Sequence, residues 1–314
     1  MTVCVAARSG SMIFGASDRM LTGGDVEFEP NTAKIIPLTN SIAAMTAGDS
    51  AFQAEIIAEI LFTISKRIDA SPDDWWHVRD AAYLYVECRN EIKRKRAEQA
   101  ILVPLGLGLD SFIAKQNEMS EGFITQITKE LVNFDVPSIS TIFAGRDPSG
   151  TRIYTVEDTV VNCHDSVGFA AIGSGYWHAN SQFMLAKHNY DSPVPDTLLL
   201  TYVAKKRAEV APGVGKGTDM FMVGPLLGSY TRLMETVLDQ LEETYNSILC
   251  KERESLEQGR KEMQLYVERL EAVAKAAAQI HQQSSSNVDG GDAAPDRGAV
   301  PNDIKERDGK KDES

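Results

Sequence analysis

The feature that most constrains this chain is a change of period at Gly48. Before it, apolar residues come in short runs of strand length, over residues 2–7 and 12–16, with Arg8, Ser9 and Gly10 as the turn between them. A second pair, residues 34–37 and 42–45, flanks the turn Leu38-Thr39-Asn40-Ser41. After Gly48 the apolar positions fall at helical spacing, from about 51 to 67, and again from 73 to 97 beyond a Ser71-Pro72 start signal. Four closely connected strands favour an antiparallel sheet, and the two helices that follow are expected to cover one face of it, with Trp75-Trp76 anchoring the second in the core.

The rest of the chain repeats this grammar. Another helix is expected between residues 110 and 133. Strands return at 139–144 and 152–156 around the turn Asp147-Pro148-Ser149-Gly150, and at 167–172 before Gly173-Ser174-Gly175. Helices over 176–187 and 195–210 precede a strand at 220–223. This order predicts an α+β fold with two sheets sandwiched between helical layers.

From residue 230 to about 283 proline disappears and Glu, Lys, Leu, Gln and Ala dominate. Leu249, Leu256, Met263, Leu270 and Ala277 recur every seven residues, and Tyr266, Val273 and Ile280 form an offset row that Glu252 and Gly259 spoil at its start. A long helix follows. A coiled coil and an amphipathic helix packed on its own domain both fit the pattern. Residues 284–314 hold almost no large apolar side chain, too little to offset the entropy of ordering, so a disordered acidic tail is expected. The chain thus divides into a domain over 1–229 with a helical insertion near 100–135, a long helix over 230–283, and the tail.

Charge and cysteine usage exclude several functions. With 45 acidic against 32 basic residues the net charge is −13, which argues against a surface that must neutralise nucleic-acid phosphates or an anionic membrane. Cys4, Cys88, Cys163 and Cys250 are far apart without a C-x-x-C pair, so buried free thiols are expected rather than disulfides or a zinc site. No segment reaches the ~18 apolar residues that span a bilayer, and no basic-then-apolar leader opens the chain, so a soluble, cytoplasmic protein is expected. The five histidines show no ligand spacing, and no cofactor or metal is expected. The run Lys93-Arg94-Lys95-Arg96 reads as a solvated helix face beside Glu91 and Glu98. Residues 213–218 lack the spacing of a phosphate loop, and nothing around Ser174 resembles a nucleophile elbow for a triad with His164 and Asp165.

Thr2 stands directly after Met1. Removal of Met1, a trimming that favours small second residues, would leave an α-amine beside a hydroxyl. An α-amine titrates near pH ~8 and can take the hydroxyl proton, so nucleophile and base would share one residue.

Thr2, the Gly10 turn, Gly15-Ala16-Ser17-Asp18-Arg19, Gly23-Gly24, Lys34-Ile35 and Ala47-Gly48-Asp49-Ser50 together resemble the opening of a proteasome β-type subunit. The chain is similar to the bacterial relatives of that family, the heat-shock-locus threonine peptidase and especially the Anbu-type proteins. With lower specificity the resemblance continues through Phe143-Ala144-Gly145-Arg146-Asp147 and Ala171-Ile172-Gly173-Ser174-Gly175, to about Pro225. It implies the N-terminal-nucleophile (Ntn) hydrolase fold, a four-layer αββα sandwich. It also implies threonine-type peptidase activity on a peptide or protein substrate, a homo-oligomeric ring, and an ATPase unfoldase as a partner that the tail could tether.

In that family an aspartate follows the threonine by sixteen residues and a lysine by thirty-two, and here those intervals give Asp18 and Lys34. The resemblance makes Lys34 the cation beside Thr2, Asp18 the group that fixes it, and Gly48 the oxyanion donor. It makes Ser174 the partner of the threonine amine, and Glu209 the support of that serine where the family usually has aspartate. Pro212 replaces a supporting serine.

Two departures leave alternatives open. The usual Ala-Asp-Ser-Arg order reads Ala16-Ser17-Asp18-Arg19, and the Gly10 turn comes one residue early. Counted from Gly10, Met1 would take the nucleophile position and Ser17 the aspartate position, and the subunit would be an inactive scaffold. The offset that Asp18, Lys34 and Gly48 share with Thr2 favours the active register. An Ntn amidohydrolase acting on a small amide is the third reading.

Overall fold

The first hairpin forms where its pattern lies. In the structure, a computed structural model that describes residues 2–23, 26–30, 34–71 and 74–286, β1 (Cys4–Ser9) pairs antiparallel with β2 (Met12–Asp18). Ser9 faces Met12, and Gly10 turns the chain with φ +53°, a left-handed value that costs glycine nothing. A short unanticipated hairpin follows, β3 (Leu21–Gly23) with β4 (Val26–Phe28). The second expected pair is β5 (Ile35–Pro37) with β6 (Ile42–Gly48).

These two main hairpins do not share a sheet, which corrects the expectation of one sheet from four opening strands. Hairpin pairing is local, whereas the neighbour a hairpin takes is decided by distant strands. β6 pairs on its other side with β7 (Ile139–Asp147), which continues through β8 (Gly150–Glu157) to β9 (Val160–Cys163). β1 instead pairs with β10 (Phe169–Ile172), and β2 with β11 (Thr218–Val223), which carries the two-residue β12 (Thr231–Arg232). The result is a mixed α+β fold with two five-stranded antiparallel sheets, β10-β1-β2-β11-β12 and β5-β6-β7-β8-β9.

Seven α-helices lie among the described residues. α1 (Ser50–Ala70) is capped by the Asp49 carboxylate, which accepts from Phe52 N–H at 2.7 Å. α2 (Val78–Ala97) starts at Val78, later than the Ser71-Pro72 signal suggested; Pro72 and Asp73 lie outside the described residues. Only Trp76 of the tryptophan pair is buried, with the Arg67 guanidinium 4.4 Å from its ring centre, while Trp75 is 43% exposed. The helix expected over 110–133 is broken at residues 116–120 into α3 (Leu109–Lys115) and α4 (Glu121–Asn133). These gather Leu102, Phe112 and Ile127 into a small core of their own. α5 (Tyr176–Leu185) and α6 (Val194–Ala208) match their expected spans closely.

Three apolar clusters hold the strands and helices together. Cys4, Ile13, Ala43, Met45, Ile142 and Phe221 come from both sheets and pack face to face. Ile56, Ile60, Tyr85 and Phe143 join α1 and α2 to the outer face of the second sheet, so the helix pair does cover a sheet face. Val3, Val5, Phe183 and Ala204 join α5 and α6 to the outer face of the first. Strands buried on both faces explain the near-continuous apolar runs of β1 and β6.

The chain divides into two units, Met1–Ser247 and Ile248–Ser314, later than the expected boundary at 229. The reason is that α7 (Glu235–Ser286) begins inside the first unit, where Leu241 and Tyr245 are buried and Tyr245 meets Tyr202 edge-on at 6.3 Å. In the second unit Leu256, Met263, Tyr266, Leu270, Val273 and Ile280 are each about half exposed or more. α7 runs three residues past the expected helix end at 283, and the rest of the expected disordered tail, residues 287–314, lies outside the described residues. Among the described residues no single helix is long and apolar enough to cross a membrane. The four cysteines are free; only Cys4 is fully buried, and Cys163 and Cys250 are exposed, which corrects the expectation of buried thiols throughout.

Candidate active site

Strand alternation decides the register at the end of β2. Successive side chains point to opposite faces, so Ser17 and Asp18 cannot both face Thr2. Asp18 is the one that does. Thr2 Oγ1 donates to Asp18 Oδ1 at 2.5 Å, and Val3 N–H donates to the same oxygen at 2.9 Å. Ser17 is fully buried and its hydroxyl has no partner among the described residues. Met1, which the alternative register pairs with Ser17, lies outside the described residues.

Lys34 enters from the residue before β5, in the other sheet. Its ammonium donates to Thr2 Oγ1 and, at 2.9 Å, to Asp18 Oδ1. The second carboxylate oxygen accepts from Met20 N–H and Gly215 N–H, each at 3.0 Å. Asp18 is fully buried, and its donors satisfy both oxygens, as a buried carboxylate requires. Thr2 itself is 4% exposed and lines a cleft of about 120 Å³ together with Lys34, Thr46, Gly48, Asp49 and Gln53.

Gly48 ends β6 with φ +130°, and a Cβ there would come 2.6 Å from the Ser138 carbonyl. Glycine is demanded by conformation and by close approach together. Gly173 has φ +88°, and its missing Cβ lets the Gly-Ser-Gly turn pack against the Thr2 backbone, where a side-chain carbon would sit 2.3 Å from Thr2 O. Ser174 Oγ therefore lies 3.3 Å from the Thr2 nitrogen, which donates to it. The same hydroxyl lies within donating reach of Thr2 O at 3.3 Å and Pro212 O at 3.4 Å.

Glu209 does not support Ser174. It follows α6, and its carboxylate accepts from Lys205 at 2.7 Å and pairs with Lys206 at 3.1 Å. The i, i+4 and i, i+3 spacings on one helix end bring lysine to glutamate before any loop serine can reach it. The Pro212 backbone carbonyl faces Ser174 instead.

Three features were missed in the sequence: the Gly215 N–H donor, Lys205 and Asp219. The Gly215 N–H donor to Asp18 is a backbone group in a glycine-rich loop and leaves no side-chain signal. Lys205, fully buried on α6, donates to Gly215 O and Lys216 O, each at 3.0 Å. Asp219 on β11 accepts from Arg19 at 2.8 Å and from Arg232 at 2.5 Å. Burial raises the Asp219 carboxyl, but these hydrogen bonds outweigh it and hold it below its usual range. Cys4, on the strand next to Asp18, has its thiol pushed up to about 12, by burial first and by Asp18 against the opposing Lys34. It stays protonated and is no rival nucleophile. His164 and Asp165 are occupied by Thr155 at 2.9 Å and Arg152 at 2.6 Å. Among the described residues no three His, Cys, Asp or Glu side chains are grouped to hold a metal ion.

No family model matches this chain, and no curated protein matches it.

Proposed function

We propose that the first unit is an N-terminal threonine hydrolase of the proteasome β type, a four-layer αββα sandwich that cleaves peptide amide bonds with Thr2 once Met1 is removed. One observation carries the reading: the Thr2 hydroxyl bonds to both the Asp18 carboxylate and the Lys34 ammonium in a cleft that Gly48 also lines. An ordinary buried threonine needs one backbone acceptor, not an ion pair.

The chemistry follows from these positions. The freed Thr2 amine takes the hydroxyl proton as Oγ1 bonds to the substrate carbonyl carbon. Lys34 stabilises the negative charge on Oγ1, and Asp18 holds that ammonium in place. The carbonyl oxygen becomes an oxyanion, for which Gly48 N–H is the assigned donor. Collapse expels the substrate amine, which leaves with the proton held by the Thr2 amine. Water then cleaves the ester on Oγ1, returning the hydroxyl and releasing the acid. Ser174, on the Thr2 nitrogen, orients the base. Glu209 has no role in this scheme. Ring assembly and an ATPase partner belong to the same reading through resemblance alone.

The test is intact mass of the full chain made in its own cells, followed by a peptide epoxyketone. That electrophile forms one bond to a threonine hydroxyl and one to its free amine. Loss of the Met1 mass, one stoichiometric adduct on Thr2 and none on Thr2→Ala support the proposal. Met1 retained on every molecule sinks it and leaves the scaffold reading.

A further inference from the structure

Residues 212–217 read Pro-Gly-Val-Gly-Lys-Gly, and three glycines give such a loop much backbone freedom to lose. Its backbone nevertheless reaches the Thr2 site at two points. Pro212 O faces Ser174 Oγ at 3.4 Å, and Gly215 N–H donates to Asp18 Oδ2 at 3.0 Å. The approach is close: a Cβ on Gly215 would lie 2.9 Å from Met20. What fixes this loop comes from α6. Lys205 has no exposed surface, and its three ammonium protons match three acceptors, Glu209 Oε1 at 2.7 Å and the carbonyls of Gly215 and Lys216 at 3.0 Å.

An ammonium is an expensive choice for an interior position unless each proton is used, and here two of the three are used on the loop. An apolar side chain would fill the space between α6 and the strands without contacting those carbonyls. We infer that Lys205 is a positioning residue for the Thr2 site: it clamps the 212–217 loop so that Gly215 N–H stays on Asp18. Glu209 then acts as the counter-charge of Lys205, its observed partner. The inference rests on the proposed threonine chemistry.

The clamp needs a charged Lys205. Burial lowers the proton affinity of Lys205, Glu209 opposes this, Lys206 adds to the lowering, and Asp18 weakly opposes it. Deprotonation leaves two N–H donors for three acceptors, so the rate of Thr2 modification is expected to fall at alkaline pH.

The experiment measures the epoxyketone inactivation rate constant and its half-saturation concentration against pH for the full chain, Lys205→Met and Glu209→Gln, beside melting temperature. For Lys205→Met the rate constant is expected to fall about 10- to 100-fold, the scale of a small misplacement at a reacting centre, with half-saturation within about two-fold. In Glu209→Gln, which keeps the lysine but removes its counter-charge, the alkaline fall is expected at lower pH. A wild-type chain that takes no adduct defeats the threonine reading, and the inference with it. A reactive wild type whose rates and pH profile are shared by both variants overturns the inference alone, even if their melting temperatures drop. Should Lys205→Met not fold, Glu209→Gln decides: an unmoved alkaline fall overturns the clamp.

Discussion

The surroundings of Asp18 and the second-unit part of α7 invert each other. At Asp18 a charged group is fully buried, and five donors meet it: Thr2 Oγ1, Lys34 Nζ and the N–H groups of Val3, Met20 and Gly215. Along α7, Leu256, Met263, Leu270 and Val273 are apolar and more than half exposed. The first arrangement is stable only because every lone pair is met; unmet, a buried ionised carboxylate loses several kcal/mol. The second is tolerated because a helix satisfies its own backbone hydrogen bonds. Polar burial in this protein therefore depends on tertiary partners, and apolar exposure does not.

The largest effect that could break this comparison comes from Asp18. Asp18→Asn puts an amide NH₂ against N–H donors, so a loss of about 1–3 kcal/mol in urea unfolding is expected. Epoxyketone modification of Thr2 should slow at least about 10²-fold. Unchanged stability would mean that the carboxylate is not needed to satisfy its donors.

Gly48→Ala comes next. A left-handed φ and a 2.6 Å approach to the Ser138 carbonyl predict a loss of about 1–3 kcal/mol together with slower Thr2 modification. A melting temperature equal to wild type would show that the strand end relaxes freely.

His188 sharpens the comparison with a buried polar group that lacks a full set of partners. It packs against Phe169 and Phe183, its Nε2 has no partner among the described residues, and burial lowers its proton affinity. The unfolded chain therefore binds the proton more readily. Stability from this site is complete above the ordinary histidine value near 6.5 and falls as pH drops below it. His164, lowered by burial in the same direction, adds to the same window. Melting temperature should decline from pH 7 to pH 5, and His188→Phe should flatten part of that slope; an unaltered slope would remove His188 from the account.

The smallest effect is expected on α7. Met263→Gln or Leu270→Gln should change unfolding stability by less than about 0.5 kcal/mol, as exposed positions do. A larger loss, or a melting temperature that rises with protein concentration, would show that the stripe is covered by another copy.

Much of this is legible in the sequence. The hairpins at Gly10 and at Pro148-Ser149, the onset of α1 after Gly48 and the helices α5 and α6 follow from apolar period and turn residues. The spacing of Thr2, Asp18 and Lys34 was visible as well, and the structure brings these three together. Glu209 was misassigned because its partner was sought in a distant loop, while two lysines on its own helix end were nearer. The break at residues 116–120 was missed because apolar spacing on either side of it is helical.

What the sequence by itself determined is local: where the chain turns, which segments alternate with period two, and which residues end adjacent strands. Those depend on backbone sterics and side-chain period within a few residues. Only the tertiary structure decided that the two opening hairpins enter different sheets, that Lys34 from one sheet meets Asp18 from the other, and that Lys205 anchors the loop whose Gly215 N–H completes Asp18. Such choices follow from which distant groups can satisfy a buried charge, and no short window of residues contains that information.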